Sequence, residues 1–113
     1  MLGKRLEARL KKSGMLVRVL RISYATLGGS VVREERLLAL SPDYRVKILV
    51  KRLQRRRLFT LIIRVEGRKG LGEIRSLLES KGGLVDVSEG RLLAVFKRAS
   101  GSLLEEILDE LLG

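Results

Sequence analysis

Glycine-containing turns divide this 113-residue chain into short runs of strand-like character, and this pattern restricts the fold more than any other feature. Glycine pairs at 28–29 and 82–83 each precede such a run, and a turn at 89–90 separates the second of these runs from another. Runs of this kind joined by tight turns are typical of antiparallel hairpins. Arg-Leu-Leu-Ala occurs at 36–39, after the first glycine pair, and again at 91–94, after the 89–90 turn that follows the second pair. This repeat predicts two hairpin–helix units or arises by chance. The predicted strands are 15–24, 31–40, 58–66, 84–88 and 91–97.

The first predicted strand, 15–24, is apolar on both faces. Val17 and Val19 lie on one side, and Leu16 and Leu20 lie on the other. Two apolar faces are typical of a strand in the middle of a sheet or of one that meets a partner chain. The sequence alone is compatible with both of these locations for the strand.

The segment 42–56 fits two structures. Ser41-Pro42-Asp43 is a typical helix start, in which a capping residue precedes proline at the first position. Apolar residues at Tyr44, Val46 and Ile48 instead alternate with cations, as in a strand. We favour the helix, and the strand is the alternative.

Three segments have the apolar spacing of amphipathic helices. They are a basic N-terminal helix at 1–13, a helix at 71–81, and a leucine-rich acidic helix at 102–112 that Ser102 caps. We therefore predict a single α+β domain over 1–113, with an antiparallel sheet, helices packed on one face, and a ferredoxin-like β-α-β-β-α order in the second half. The terminal helices carry opposite charges, so we expect them to pack together within one chain or across a homodimer.

The composition excludes several classes of function. The chain has no Cys and no His, which excludes disulfides, thiolate zinc sites and the ordinary serine and cysteine catalytic triads. Glu34 and Glu35 are neighbours on one predicted strand, so their carboxylates point to opposite faces and form no acid–base pair. We predict a protein that is not an enzyme and holds no cofactor or metal. No apolar run approaches the roughly 18 residues of a membrane span, and no signal peptide is evident, so we expect a cytoplasmic location.

The positive charge is concentrated in the first half. Residues 1–57 hold 16 Lys and Arg against 4 Asp and Glu, whereas residues 58–113 hold 8 against 9. Five of the seven residues at 51–57 are cations and none is acidic. Such clusters bind phosphates and release condensed counterions, although a solvated helix end or hairpin tip is the alternative. The predicted phosphate contacts are Lys47, Lys51, Arg52, Arg55, Arg56 and Arg57.

A second candidate phosphate site is the loop before the helix at 71–81. Free N–H groups at a helix N-terminus suit a phosphate, and glycines allow a close approach, although a plain glycine-rich turn is the alternative. Over 67–98 the chain resembles the GxxG loop and following half of a KH module. That resemblance implies a nucleic-acid clamp made of Gly67, Arg68, Lys69 and Gly70.

The run from 58 to 112 is also similar to half of an RRM, a family that stacks bases on aromatic side chains. Here Phe59 and Phe96 are in register with apolar strand residues, so we predict that both lie in the core. Tyr24 and Tyr44 are then the candidates for base stacking, with ordinary packing as the alternative.

The whole profile resembles the ThermoDBP group of small archaeal single-strand-binding proteins. It combines a basic α/β core, a composition without His, Cys or Asn, and a leucine-rich terminal helix. The same composition is typical of hyperthermophiles. The resemblance implies single-stranded DNA or RNA bound in a basic cleft, and a dimer. The alternative is an ACT-like regulatory or assembly domain that binds a small anion at 67–72 and joins subunits through its terminal helices.

Overall fold

The computed structural model describes residues 8, 11, 12, 14, 16–67 and 70–112. The predicted helix at 1–13 lies outside these residues except for Ala8, Lys11 and Lys12, which are helical. The structure belongs to the α+β class, as predicted. Within the described residues its elements are β1 (Leu16–Ala25), β2 (Val31–Leu40), β3 (Tyr44–Leu53), β4 (Phe59–Gly67), α1 (Leu71–Ser80), β5 (Leu84–Ser88), β6 (Arg91–Ala99) and α2 (Gly101–Leu112).

The six strands form one sheet in the order β1-β2-β3-β4-β6-β5, and every neighbouring pair is antiparallel. This confirms the predicted antiparallel sheet. β1 lies at one edge and β5 lies at the other. A central position for β1 is therefore wrong, because among the described residues it pairs with β2 alone.

The predicted helix at 42–56 is wrong, since this segment forms β3. The strand pairs with β2 on one side and with β4 on the other. Pairing on both sides makes β3 a central strand, and Ile48 and Val50 are buried on one of its faces. The residues that resemble a helix cap form the β2–β3 turn instead. The Tyr44 N–H donates to Ser41 Oγ at 3.0 Å, and the Ser41 N–H donates to the Tyr44 carbonyl at 2.9 Å.

The core lies between one face of the sheet and the two helices, which we call the helix-covered face. Leu78 of α1 and Ile107 of α2 are fully buried there against strand residues. Phe59 and Phe96 are buried in the same cluster, as predicted. α2 begins at Gly101 rather than at the predicted cap, because Ser100 Oγ accepts the Leu103 N–H at 3.1 Å.

The second half does not follow a clear ferredoxin-like order. β6 lies between β4 and β5, and the other neighbour of β4 is β3, from the first half of the chain. In a ferredoxin-like unit a strand that follows the second helix would occupy that position. Among the described residues, α2 is the last element.

Candidate nucleic-acid interface

The face of the sheet opposite α1 and α2, here called the open face, carries every second side chain of the strands. Directly opposite residues of an antiparallel pair point to the same face, so the register shows which side chains share it. One line of neighbours across the sheet, the basic row, is Arg18, Leu38, Lys47, Arg64, Leu93 and Asp86. The next line, the aliphatic row, is Leu20, Arg36, Leu49, Ile62, Val95 and Leu84.

The basic row places two cations directly opposite each other. Lys47 of β3 pairs with Arg64 of β4, and Arg18 lies two strands from Lys47. Like charges opposite each other destabilise a sheet. In the part of the chain that the structure describes, these three exposed cations have no acidic side chain within ion-pair distance. The middle of the open face is therefore a site of uncompensated positive charge that favours an anion.

Aliphatic side chains form the floor between these cations. A shallow depression of about 480 Å³ lies over the basic and aliphatic rows. Leu38, Leu49 and Ile62 are partly buried in it, and Arg36 adds a fourth cation at its rim. Such a surface can hold a flat apolar group by dispersion while the cations bind charged groups attached to it.

Glu34 is the buried acidic residue of the open face. Its carboxylate lies 3.4 Å from Lys51 Nζ and 3.7 Å from Arg36, and its side chain is 6% exposed. Lys51 therefore lies on the open face as a member of an ion-pair network. Arg18, Lys47 and Arg64 carry the charge that this network leaves unbalanced.

A second basic depression, of about 400 Å³, lies beside the β3–β4 turn. Its lining includes no acidic residue. It adjoins the open face, because Lys51 and Thr60, opposite each other on that face, line it too. Sequence reasoning found part of this cluster but missed the β6 residues, which lie about 40 positions further along the chain. The cations that line it are Lys51, Arg56, Arg57, Lys97 and Arg98.

The other predicted phosphate contacts do not join this face. Arg55 lines a depression beside the β1–β2 turn. Arg52 is on the helix-covered face opposite Arg33, and its Nε is buried without a hydrogen-bond partner among the described residues. Lys51 and Arg52 are successive strand residues that point to opposite faces, whereas Arg55, Arg56 and Arg57 follow the strand in the turn. The run at 51–57 therefore does not present all of its cations on one surface.

The loop at 67–70 lies at the other end of the sheet from the β3–β4 turn. Gly67 pairs with Tyr44, whereas Thr60 pairs with Lys51, so the two ends are about 23 Å apart at strand spacing. Arg68 and Lys69 lie outside the described residues. Glu73 occupies the first turn of α1, where a negative charge disfavours a bound anion.

Packing explains the two described glycines of this loop. A side chain at position 67 would collide with the Tyr44 ring, which lies against Gly67. Gly70 has φ +77°, and a side chain there would come within 3.0 Å of the Tyr44 hydroxyl. Tyr44 itself is partly buried on the helix-covered face, packed against the core. Of the two candidate stacking residues, Tyr24 alone is on the open face, where it is 39% exposed.

Three cations of the rows, Arg18, Arg36 and Arg64, escaped sequence reasoning. Arg18 and Arg64 each occupy a single polar position between apolar strand residues, and Arg36 ends the mixed-charge run at 33–36, so none of the three belongs to a run of cations. Their signal is the alternation itself, which assigns a face to each position once the neighbouring strands are known. Lys47 joins them because 42–56 is a strand.

Comparisons with protein-family models, with curated proteins and with solved structures find no match for this chain. The resemblances to KH modules, RRMs and the ThermoDBP group stay predictions from the sequence. No helix of the described residues has both the length and the apolar character needed to cross a membrane. Across the same residues, no cluster of three or more acidic side chains could hold a metal ion.

Proposed function

We propose that this protein binds single-stranded nucleic acid, DNA or RNA, across the open face of its sheet, without catalysing a reaction. The observation that carries the proposal is the Lys47–Arg64 pair, two opposed cations above an aliphatic floor that have no acidic partner among the residues the structure describes. A sheet gains nothing in stability from such a pair. Phosphate groups of a polyanion would relieve the repulsion and release counterions.

The mixture of side chains favours a single strand over a duplex. Duplex DNA presents phosphates outward and keeps its bases stacked, so the aliphatic floor would have no partner. A single strand can lay an unstacked base against Leu49 or Ile62 while Lys47 and Arg64 hold its phosphates. The basic depression with Arg56 and Lys97 continues the same charged surface and supplies further phosphate contacts.

Fluorescence anisotropy with labelled single-stranded DNA, single-stranded RNA and duplex DNA of one sequence tests this function. The K47A/R64A variant removes the opposed cations of the open face. The R75A/K81A variant removes the same charge from α1 and its C-terminal cap, on the other side of the sheet. We expect tighter binding of single strands than of duplex, a loss of affinity in K47A/R64A, and wild-type affinity in R75A/K81A.

Three results would count against the proposal. Equal losses in the two double variants would show that net charge, not the open face, controls binding. Duplex binding as tight as single-strand binding would refute the strand preference. An absence of binding to every probe at low salt would refute the nucleic-acid function itself.

A further inference from the structure

The outer edge of β1 has no strand beside it among the described residues. β1 pairs with β2 along its whole length, from Leu16 to Ala25. Of the described residues that precede it, Ala8, Lys11 and Lys12 are helical and Gly14 lies in a turn, so none adds a strand there. An edge of this kind presents unpaired backbone N–H and C=O groups that can pair with another chain.

The two edges of the sheet differ in how they are protected. β5 has five residues and carries Asp86 at its centre, both of which discourage pairing. β1 has ten residues and contains no proline, lysine or acidic residue. Leu16 is 75% exposed on β1 and Leu20 is 51% exposed. Its charged residues are Arg18 and Arg21, and its other side chains are mostly apolar. A strand of this length and composition at a sheet edge has the properties of one that meets a partner.

We infer that two copies of this chain pair antiparallel along β1, about a two-fold axis at Leu20. Such pairing places Leu16 opposite Tyr24 of the partner subunit, and Arg18 opposite Ile22 of the partner subunit. On the open face Leu20 then lies opposite Leu20 of the partner subunit, each Arg18 lies opposite an apolar side chain, and no cation lies opposite a cation. A symmetric interface requires this self-complementarity, because the same surface serves both subunits.

The sequence also predicted that the terminal helices could form a dimer interface, but the apolar face of α2 is already buried within its own chain. Leu104, Ile107 and Leu108 of α2 are buried in the core of their own chain. These residues are therefore not available to form a dimer interface. The sequence left β1 either central or facing a partner chain, and the sheet order excludes the first.

The pairing also extends the proposed binding surface, and this consequence rests on the proposed function. Opposite residues of an antiparallel pair share a face, so the open faces of the two subunits lie on one side of a continuous sheet. Both Arg18 side chains then lie beside the junction. A long single strand can contact both basic rows, whereas a short one reaches a single row.

Light scattering after gel filtration gives the first test. We expect the wild type and the L84K variant to have twice the 12.7 kDa mass of one chain, and L20K to have the mass of one chain. L84K is the matched control, because Leu84 is 63% exposed on the opposite edge strand. Circular dichroism must show the same fold for all three proteins. A monomeric wild type, or a dimeric and folded L20K, would overturn the inference.

Disulfide trapping gives a second test that needs no destabilising charge. The chain has no cysteine, so a single introduced one reports on its own position. On mild oxidation we expect L20C to form a covalent dimer readily and L84C to form little. Equal trapping of both, or preferential trapping of L84C, would place the contact elsewhere.

Oligonucleotide length separates the dimer from the binding function. The readout is the ratio of long-strand to short-strand affinity, because Leu20 also lines the open-face depression and its replacement changes the affinity for both strands. This ratio should be lower in L20K than in the wild type. A wild-type dimer that binds no nucleic acid would support the pairing and refute the proposed function. Tight binding by a wild-type monomer would do the reverse.

Discussion

Replacing both opposed cations of the open face should change how binding depends on salt. Each phosphate that a protein neutralises on a single strand contributes about 0.7 to the slope of log K against log salt concentration. Loss of Lys47 and Arg64 should therefore lower that slope by about 1.4. Over a fourfold rise in salt, from about 50 to about 200 mM, this corresponds to a factor of about 7. The advantage of the wild type over K47A/R64A should be about seven times larger at the lower salt concentration.

The same change should leave the fold intact or stabilise it. Lys47 and Arg64 are exposed and opposed, so their removal takes away repulsion worth a few tenths of a kcal/mol. Anisotropy titrations at four salt concentrations give the slope, and thermal melting gives the stability. Parallel salt dependences for the two proteins would refute the phosphate contacts. A clearly lower melting temperature would show that the pair has a structural role.

Three further predictions concern the elements that hold the site in place. G67A should lower the free energy of unfolding by about 1–3 kcal/mol, because the new methyl group collides with the tyrosine ring packed there; urea unfolding with an unchanged midpoint would contradict this. S100A should lose about 1 kcal/mol through the missing α2 cap, whereas S102A should change little; equal melting temperatures for the two variants would refute the assignment of the cap. The hydrogen bond and charge of Glu110 raise the pKa of Lys81 above 10.5, so this contact stabilises the fold below that pH and is lost as pH rises through the folded-state pKa. The stability difference between wild type and K81M, measured by urea unfolding, should therefore shrink above about pH 10.5.

Local pattern was sufficient to predict most of the strands. β2 and β5 have the bounds that the alternation predicts, and β1, β4 and β6 differ from theirs by one or two residues. Turn-forming glycines and period-two alternation are properties of neighbouring residues, so they need no knowledge of the fold. The two buried phenylalanines were predictable for the same reason.

Local signals conflicted at β3, and the sheet decided between them. Ser41-Pro42-Asp43 can start a helix or close a hairpin, and only the pairing of 44–53 with strands on both sides selects the hairpin. The second copy of the Arg-Leu-Leu-Ala repeat, at 91–94, belongs to β6, and β6 is followed by the helix α2 rather than by another strand. The apolar residues of α2 recur at helical spacing, and among the described residues this segment pairs with no strand of the sheet.

The sequence by itself determined that the chain forms strands with tight turns, carries a large basic excess and lacks the residues of common catalytic and metal sites. Only the tertiary structure decided which cations lie side by side on one surface. The dense run at 51–57 is divided, because Lys51 and Arg52 face opposite sides of the sheet and the three arginines that follow lie in the β3–β4 turn. Arg18, Lys47 and Arg64 come from three separate strands, yet the register aligns them in one row. Proximity along the chain concentrates charge in the sequence, but hydrogen-bonded pairing between strands places it on a surface.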